Sequence, residues 1–339
     1  MIAVTGATGH IGNVLVRELL ERGKAVRTIL PPGENRAPLA GLNLEVAESD
    51  VRGLDSLVRA FNGVETVYHL AGVISILPGK KKLLEDVNVK GTQNVVEACF
   101  RTGVKRLVYI SSIHAVKEPP HGTIISESQP YDPSSVLGEY AKSKARATLL
   151  IIEAVKRGLD AVIVCPTGVI GPYDYKISEM GQLIQDFLQQ KMKACVDGAY
   201  DFVDVRDIAR GLILACEKGR RGEGYILSGE RITVRDLFSL LEKISGIKAP
   251  GWQVSCRLAR AIGVLATPYY LLSKVKPLFT AYSIDVLSSN SLVSSEKARR
   301  ELGYSTRSIR ESLFDAVSWF KEEARRCASG KMRNSFITA

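Results

Sequence analysis

No Cys-x-x-Cys pair occurs in this 339-residue chain. Its cysteines, Cys99, Cys165, Cys195, Cys216, Cys256 and Cys327, are scattered. Cys99, Cys165 and Cys216 lie in apolar surroundings and read as buried thiols of a reducing compartment, hence a cytoplasmic protein. The four histidines are too separated for a local metal motif, so no metal is expected. No uninterrupted apolar run reaches the ~20 residues of a bilayer span. The first residues, Ile2-Ala3-Val4, read as a strand rather than a leader. No basic patch interleaved with aromatics points to nucleic acid, and there is no internal repeat or low-complexity tract.

What is present begins at that first strand. The stretch Thr5-Gly6-Ala7-Thr8-Gly9-His10-Ile11-Gly12 follows it and precedes Val14-Leu15-Val16-Arg17-Glu18-Leu19-Leu20. In order, these are a strand, a glycine turn and an amphipathic helix. Gly6 permits a tight exit from the strand, Gly9 lets backbone N–H groups reach a pyrophosphate, and Gly12 lets the helix pack against the sheet. The helix start adds unpaired donors and partial positive charge. Gly6, Thr8, Gly9, His10, Ile11 and Gly12 thus form the expected dinucleotide cradle, and a plain βα turn is the competing reading. His10 itself reads as exposed.

Composition fits an ordinary soluble α/β protein, with 45% hydrophobic and 24% charged residues. The net charge of +10, from 46 basic and 36 acidic residues, suits an anionic cofactor or substrate, though most of it reads as ordinary surface. Strands are expected at 25–30, 44–47, 65–70, 106–110 and 159–164. Helices are expected at 54–61, 87–100 and 135–156, the last with Asp132-Pro133 as cap and first-turn proline. The alternation predicts a Rossmann-type doubly wound parallel sheet with right-handed crossovers. After Pro166 the rhythm changes, with helices expected at 180–191 and 208–218. The domains expected are 1–166 for the dinucleotide, with a returning strand near 224–228, then a smaller, mainly helical substrate-binding region at 167–326 and a frayed tail at 327–339.

Tyr140-Ala141-Lys142-Ser143-Lys144 is the second strong signal. Tyr140 and Lys144 lie four apart and share a helix face. A tyrosine of reference pKa ~10 is a poor base near neutrality, and a nearby ammonium is expected to lower that value. Such a pair can pass a proton to a carbonyl oxygen or take one from an alcohol. Ser112 follows the fifth strand at the carboxyl edge of the sheet, where its hydroxyl can hold the substrate oxygen. Ser111 and His114 are its rivals.

Together these residues resemble the extended short-chain dehydrogenase/reductases. The motifs are the Gly6/Gly9/Gly12 turn, Asp50-Val51, His69-Leu70-Ala71-Gly72, Asn88-Val89-Lys90-Gly91-Thr92, Ser112 and Tyr140/Lys144. The resemblance implies that Asp50 and Val51 meet the adenine, that Leu70, Ala71 and Gly72 lie beside the cofactor, and that Asn88 supports the catalytic residues. It also implies that Lys144 contacts the nicotinamide ribose and that Pro166, Thr167, Gly168 and Val169 help fix the nicotinamide. Packing of the helices near 87–100 and 135–156 into a homodimer is common in that family.

Three departures narrow the subclass. Sugar-nucleotide epimerases usually carry asparagine where Gly168 stands. Sugar dehydratases usually carry an acidic pair where Ile113-His114 follow Ser112. Pro166-Thr167…Gly171-Pro172 and Phe202-Val203-Asp204-Val205-Arg206-Asp207 look instead like segments of dihydroflavonol and cinnamoyl-CoA reductases, relatives of the 3β-hydroxysteroid dehydrogenases. The expected activity is therefore NAD(P)-dependent interconversion of a carbonyl and a secondary alcohol on a bulky apolar molecule. A nucleotide-sugar epimerase or dehydratase with retained NAD, and a non-catalytic dinucleotide sensor, are the alternatives. Leu30-Pro31-Pro32 end the second strand with no acid before Glu34, and Arg36 could meet a 2′-phosphate, which favours NADP over NAD. Trp252 to Tyr282 contains no Asp or Glu, and reads as a lid, a peripheral membrane contact or a packed helix. Pro268 and Pro277 exclude one continuous helix there.

Overall fold

Near-continuous apolar runs dictate strands buried on both faces. Ala161–Pro166 is buried at every position and is the sixth strand. The computed structural model describes residues 1–75, 79–262, 264 and 281–328. Seven parallel strands form the central sheet: β1 (Ile2–Thr5), β2 (Val26–Leu30), β3 (Glu45–Glu48), β4 (Thr66–His69), β5 (Arg106–Ile110), β6 (Ala161–Pro166) and β10 (Gly224–Leu227), in the order β10-β6-β5-β4-β1-β2-β3. β10 returns from the second half of the chain to pair with β6.

Helices cover both faces. α1 (His10–Glu21) and α7 (Val205–Lys218) bury Leu15, Leu19, Ile208 and Leu212 against one. α2 (Leu54–Ala60), α4 (Gly91–Thr102) and α5 (Gly138–Lys156) bury Leu57, Val95, Ala98 and Ile151 against the other. The strand order reverses direction between β1 and β4, so the carboxyl ends of β1, β4, β5 and β6 open on the crevice where doubly wound sheets take ligands. A second core joins β7 (Gly168–Ile170), β9 (Ala199–Asp204), β11 (Glu230–Thr233), α6 (Glu179–Leu188), α8 (Val234–Ser245) and the helix Ile309–Ala328, through Phe187, Phe202, Phe238 and Phe320. β8 (Ala194–Val196) pairs with β12 (Trp252–Val254) beside it.

Three expectations change. The 135–156 helix starts at Gly138, because Asp132 caps a turn through the Ser134 amide and hydroxyl instead of the helix. The 87–100 helix is longer and broken in kind: α3 (Lys81–Leu84) leads into a π-helical turn, Glu85–Lys90, before α4. The final helix takes in residues 327 and 328, and the rest of the expected tail lies outside the described residues.

The Phe202–Asp207 motif proves structural. Asp204 caps α7 by accepting the Arg206 amide and is clasped by the Arg206 guanidinium at 2.8 Å. Arg206 also reaches Asp315 at 2.7 Å, and Arg307 bonds Asp207 and approaches Asp204 at 3.6 Å. Burial raises the Asp207 pKa, opposed by Arg307, whereas at Asp204 the bonds from Arg206 outweigh burial and lower it. This cluster pins the final helix to the sheet. Arg307→Gln leaves buried carboxylates uncompensated and should cost about 3–5 kcal/mol in denaturant unfolding. Arg36→Gln, which breaks only an exposed pair with Glu48, should cost about 0–1 kcal/mol.

Candidate active site

The glycine turn sets the first wall. Gly6 has φ +72°, and a Cβ there would lie 2.6 Å from the Ala71 nitrogen. A Cβ on Gly12 would strike the Gly6 carbonyl. Gly9 is the N-cap of α1 and offers no side-chain acceptor, and no acid stands in the first turn. The leading N–H groups of α1 are thus left for an anion, and the cradle fits a dinucleotide pyrophosphate.

Around it, the residues expected at the ribose and the adenine are engaged with one another. Thr8 donates to Glu34 at 2.8 Å, and Lys176, from beyond β7, reaches the same carboxylate at 2.5 Å. Partial burial opposes ionisation of Glu34, but these bonds outweigh it and hold the carboxyl below its ordinary range. Arg36 is ion-paired with Glu48 on β3. Asp50 is gripped by Arg52 through its amide and guanidinium, which lowers its pKa, and Val51 packs beneath Gly91. His10 is not exposed as expected. The segment after β7 lies over it, and its Nε2 is 2.9 Å from the Pro172 carbonyl, with the side chain 10% exposed.

A buried hydrogen-bond chain runs from this turn to α5. Ala71 N–H donates to Thr5 Oγ1 at 3.1 Å. Thr5 and His69 Nδ1 are 2.8 Å apart, and His69 Nε2 and Thr92 Oγ1 are 3.0 Å apart. Thr92 donates its only hydroxyl proton to the Asn88 carbonyl at 2.7 Å. It therefore accepts from Nε2–H, and Thr5 donates to Nδ1, which fixes the histidine tautomer. Burial, with the Lys144 charge adding to it, lowers the His69 pKa to about 3, so the ring is neutral. Asn88 then holds Val73 through N–H at 2.8 Å and C=O at 3.0 Å, and donates to Ser143 Oγ at 3.0 Å. Ser143 donates to the Tyr140 carbonyl at 2.7 Å. The π-helical turn supplies the rotation that brings Asn88 into this position, a use such turns often serve at functional sites.

Tyr140 and Ser112 are brought together, with the Ser112 hydroxyl near enough to ease ionisation of the phenol. Burial pushes Tyr140 up to about 12, opposed by Ser112. The expected lowering by Lys144 is not found. The ammonium donates to the Ile110 carbonyl at 2.8 Å and lies 5.1 Å from the Tyr109 ring centre. Burial lowers Lys144 itself to about 8. Ser111 bonds Thr148 at 2.7 Å inside the core, away from the crevice. His114 donates its backbone N–H to Ser112 Oγ at 3.2 Å and faces Tyr200, with 2.9 Å between Nε2 and the phenol oxygen. Burial holds its pKa near 4. Pro166 ends β6, Thr167 donates to Asp201 at 2.6 Å, and Gly168 and Val169 enter β7.

A cleft opens beside Ser112, with about 700 Å³ of free space including its mouth. Ile113, His114, Thr167 and Tyr200 form its inner wall, and Val136, Leu137, Ile125 and Val293 its apolar sides. Among the described residues no lysine or arginine lines it, whereas Glu118, Asp201 and Asp285 do. Sequence reasoning missed Tyr200 and Asp201 because their signal, polar residues on a strand expected nowhere, becomes readable only once β9 is placed beside β7. It also left Thr5, Thr92 and Ser143 unassigned; their signal was polar residues at strand ends and helix positions that amphipathic spacing buries.

The family model described as NAD dependent epimerase/dehydratase family matches residues 2–228. Sterol demethylase protein B of Methylococcus capsulatus is 39% identical over 323 residues, covering 94% of this chain and 98% of that protein. A putative dihydroflavonol 4-reductase of Synechocystis is 31% identical, with 94% of each chain covered. The crystal structure of gox2253 superposes with a TM-score of 0.85 at 33% identity, covering 96% of this chain and 99% of the other.

The lowered Lys144 value carries a sign. Between about pH 8 and the ordinary 10.5, the unfolded chain holds a proton that the folded protein has lost, so folding gains stability as pH rises through that window. Lys144→Met should remove this arm, and chemical unfolding of both proteins across pH 7–11 should show the difference moving toward wild type as pH rises.

Proposed function

The chain belongs to the NAD-dependent epimerase/dehydratase family of oxidoreductases, and from that premise we propose that it interconverts a carbonyl and a secondary alcohol on a bulky apolar molecule. The observation carrying this reading is the character of the cleft: carboxylates and neutral rings, with no cation among its described lining residues. A nucleotide sugar brings a diphosphate, which such a wall repels rather than holds. Gly168 strengthens the point. A Cβ there would lie 2.7 Å from the Phe202 ring and 2.9 Å from the Tyr200 ring. Those rings pack edge to face, 5.5 Å apart, so the space an asparagine would need is filled by aromatic wall. Two relatives carry names that fit, a sterol demethylase protein and a putative dihydroflavonol reductase.

The cofactor, when bound, supplies or takes the hydride. The protein does the rest. Ser112 Oγ donates to the substrate oxygen and holds it against the Tyr140 phenol. Tyr140 gives its proton to the developing alkoxide in reduction and removes it in oxidation. The high free-protein value suits it as an acid; work as a base requires the Lys144 ammonium to turn from the Ile110 carbonyl toward the phenol and the ribose. Asn88, fixed on both sides of Val73 and on Ser143, holds the start of α5 in place and acts through Tyr140 as a positioning residue.

Tyr140→Phe should lower kcat by about 10²–10⁴-fold with cofactor Kd nearly unchanged. Stopped assays with NADH and NADPH against apolar ketones, aldehydes and nucleotide sugars, read by mass spectrometry, test it. Full turnover by the variant would overturn the triad, and conversion of a nucleotide sugar without net cofactor use would overturn the substrate class.

If the ribose lies against Glu34, a 2′-phosphate would meet this carboxylate, whose partner is Lys176, while Arg36 is paired with Glu48. Removing the carboxylate in Glu34→Gln takes away one repulsion and frees Lys176. The NADPH/NADH ratio of kcat/KM should therefore rise at least fivefold over wild type.

A further inference from the structure

One stretch of surface is left unexplained by hydride chemistry. β12 presents Trp252 at 78% exposure from a paired strand, and the helical residues that follow present Leu258, Ile262 and Val264 at 56%, 54% and 51%. Their helix faces inward through Ala259, which packs on Val196 and Ile284. Four large apolar side chains held outward on one short segment depart from the usual scatter of single exposed residues. The charge around them is one-sided. Among the described residues between Glu242 and Asp285 the chain carries Lys243, Lys248, Arg257 and Arg260 and no acid. The nearest carboxylates are engaged: Asp285 pairs with Arg260 at 2.7 Å, and Asp197 accepts from Gln253 and the Gly198 amide.

We propose that residues 252–262 and 264 dock on the surface of an anionic lipid bilayer, with Trp252, Leu258, Ile262 and Val264 entering the interface and Arg257 at headgroup level. Tryptophan and leucine on one side with basic residues at the rim is the composition of interfacial segments that lie in the membrane plane. Tryptophan in particular settles at the headgroup boundary, its ring apolar and its N–H wet. The position adds a reason. Ile284, which backs the docking helix, belongs to the helix Ala281–Leu287, whose Asp285 and Val286 line the cleft. The docking face therefore stands one helix away from the site, where an apolar molecule dissolved in lipid would be taken up. The docking itself does not depend on the substrate class proposed above.

Trp252 is its own reporter, because the other tryptophan, Trp319, is buried. The full chain is mixed with phosphatidylcholine vesicles, with or without about one-third phosphatidylglycerol, and with the same lipids brominated in the acyl chains. The expected result is sedimentation with the anionic vesicles, at least tenfold weaker binding to neutral vesicles or in high salt, a blue shift of emission and quenching by bromine. Leu258→Ser/Ile262→Ser should weaken vesicle binding at least tenfold. An unchanged melting temperature and cofactor titration in that variant show that it is folded, and Arg257→Gln, a surface change, should give a smaller loss in the same direction. Absence of quenching at vesicle excess would overturn the proposal. So would a change of oligomeric state in the double variant with vesicle binding intact, which would make the face a contact between copies. The hydride-transfer assay with dispersed substrate reads the proposed function separately from either result.

Discussion

Everything at the crevice hangs on one buried line of hydrogen bonds, from Thr5 through His69, Thr92 and Asn88 to Ser143 and the Tyr140 carbonyl. It starts at the glycine turn on β1, crosses the end of β4 and the π-helical turn, and ends in α5. Every proton along it has one available direction, because Thr92 has only one to give and spends it on a carbonyl. A neutral His69 is what makes that possible. An imidazolium would present two donors where Thr5 already needs to donate, and burial excludes it. Removing one member leaves its neighbour buried and unsatisfied, which costs more than the bond itself contributes. The line thus couples the geometry of the glycine turn to that of the start of α5.

The same economy appears at the far side of the sheet. Arg206 and Arg307 divide the carboxylates Asp204, Asp207 and Asp315 between them, and in doing so tie the last helix to the start of α7. Paired buried charges of this kind add little net stability but penalise any arrangement that leaves one alone. They fix where β9 ends, hence where Tyr200 and Asp201 stand in the cleft. A motif read in the sequence only as a family likeness acts here by placing other residues.

How much of this was legible beforehand follows from the range of the forces involved. Strand, glycine turn and helix are local, and the order of apolar runs revealed the doubly wound sheet, because periodicity and burial are written along the chain. Ser112 and Tyr140 were legible as a pair because sheet topology sends both to one edge. The start of α5 was misplaced by three residues because Asp132 had two uses for its carboxylate, and only tertiary context selects the turn. The tyrosine's acidity was misjudged for a related reason. Four residues of spacing bring Lys144 to the same face, but the Ile110 carbonyl, thirty-four residues away in sequence, competes for its proton. Glu34 and Lys176 meet across a still longer separation, and no spacing rule predicts that pair.

That competition also leaves the phenol protonated in the protein alone. In the protein alone, burial raises Tyr140 and lowers Lys144, so both lean toward neutral forms. Neither group is activated until something gives the ammonium a reason to leave the Ile110 carbonyl. Under the proposed function, a cofactor ribose hydroxyl would be such a reason, and Ser112, Tyr140 and Lys144 would act together only once the cradle is filled. On the same reading a hydroxyl and a phenol would hold the substrate oxygen, and Ile113, Val136 and Tyr200 would give the cleft its shape and apolar surface.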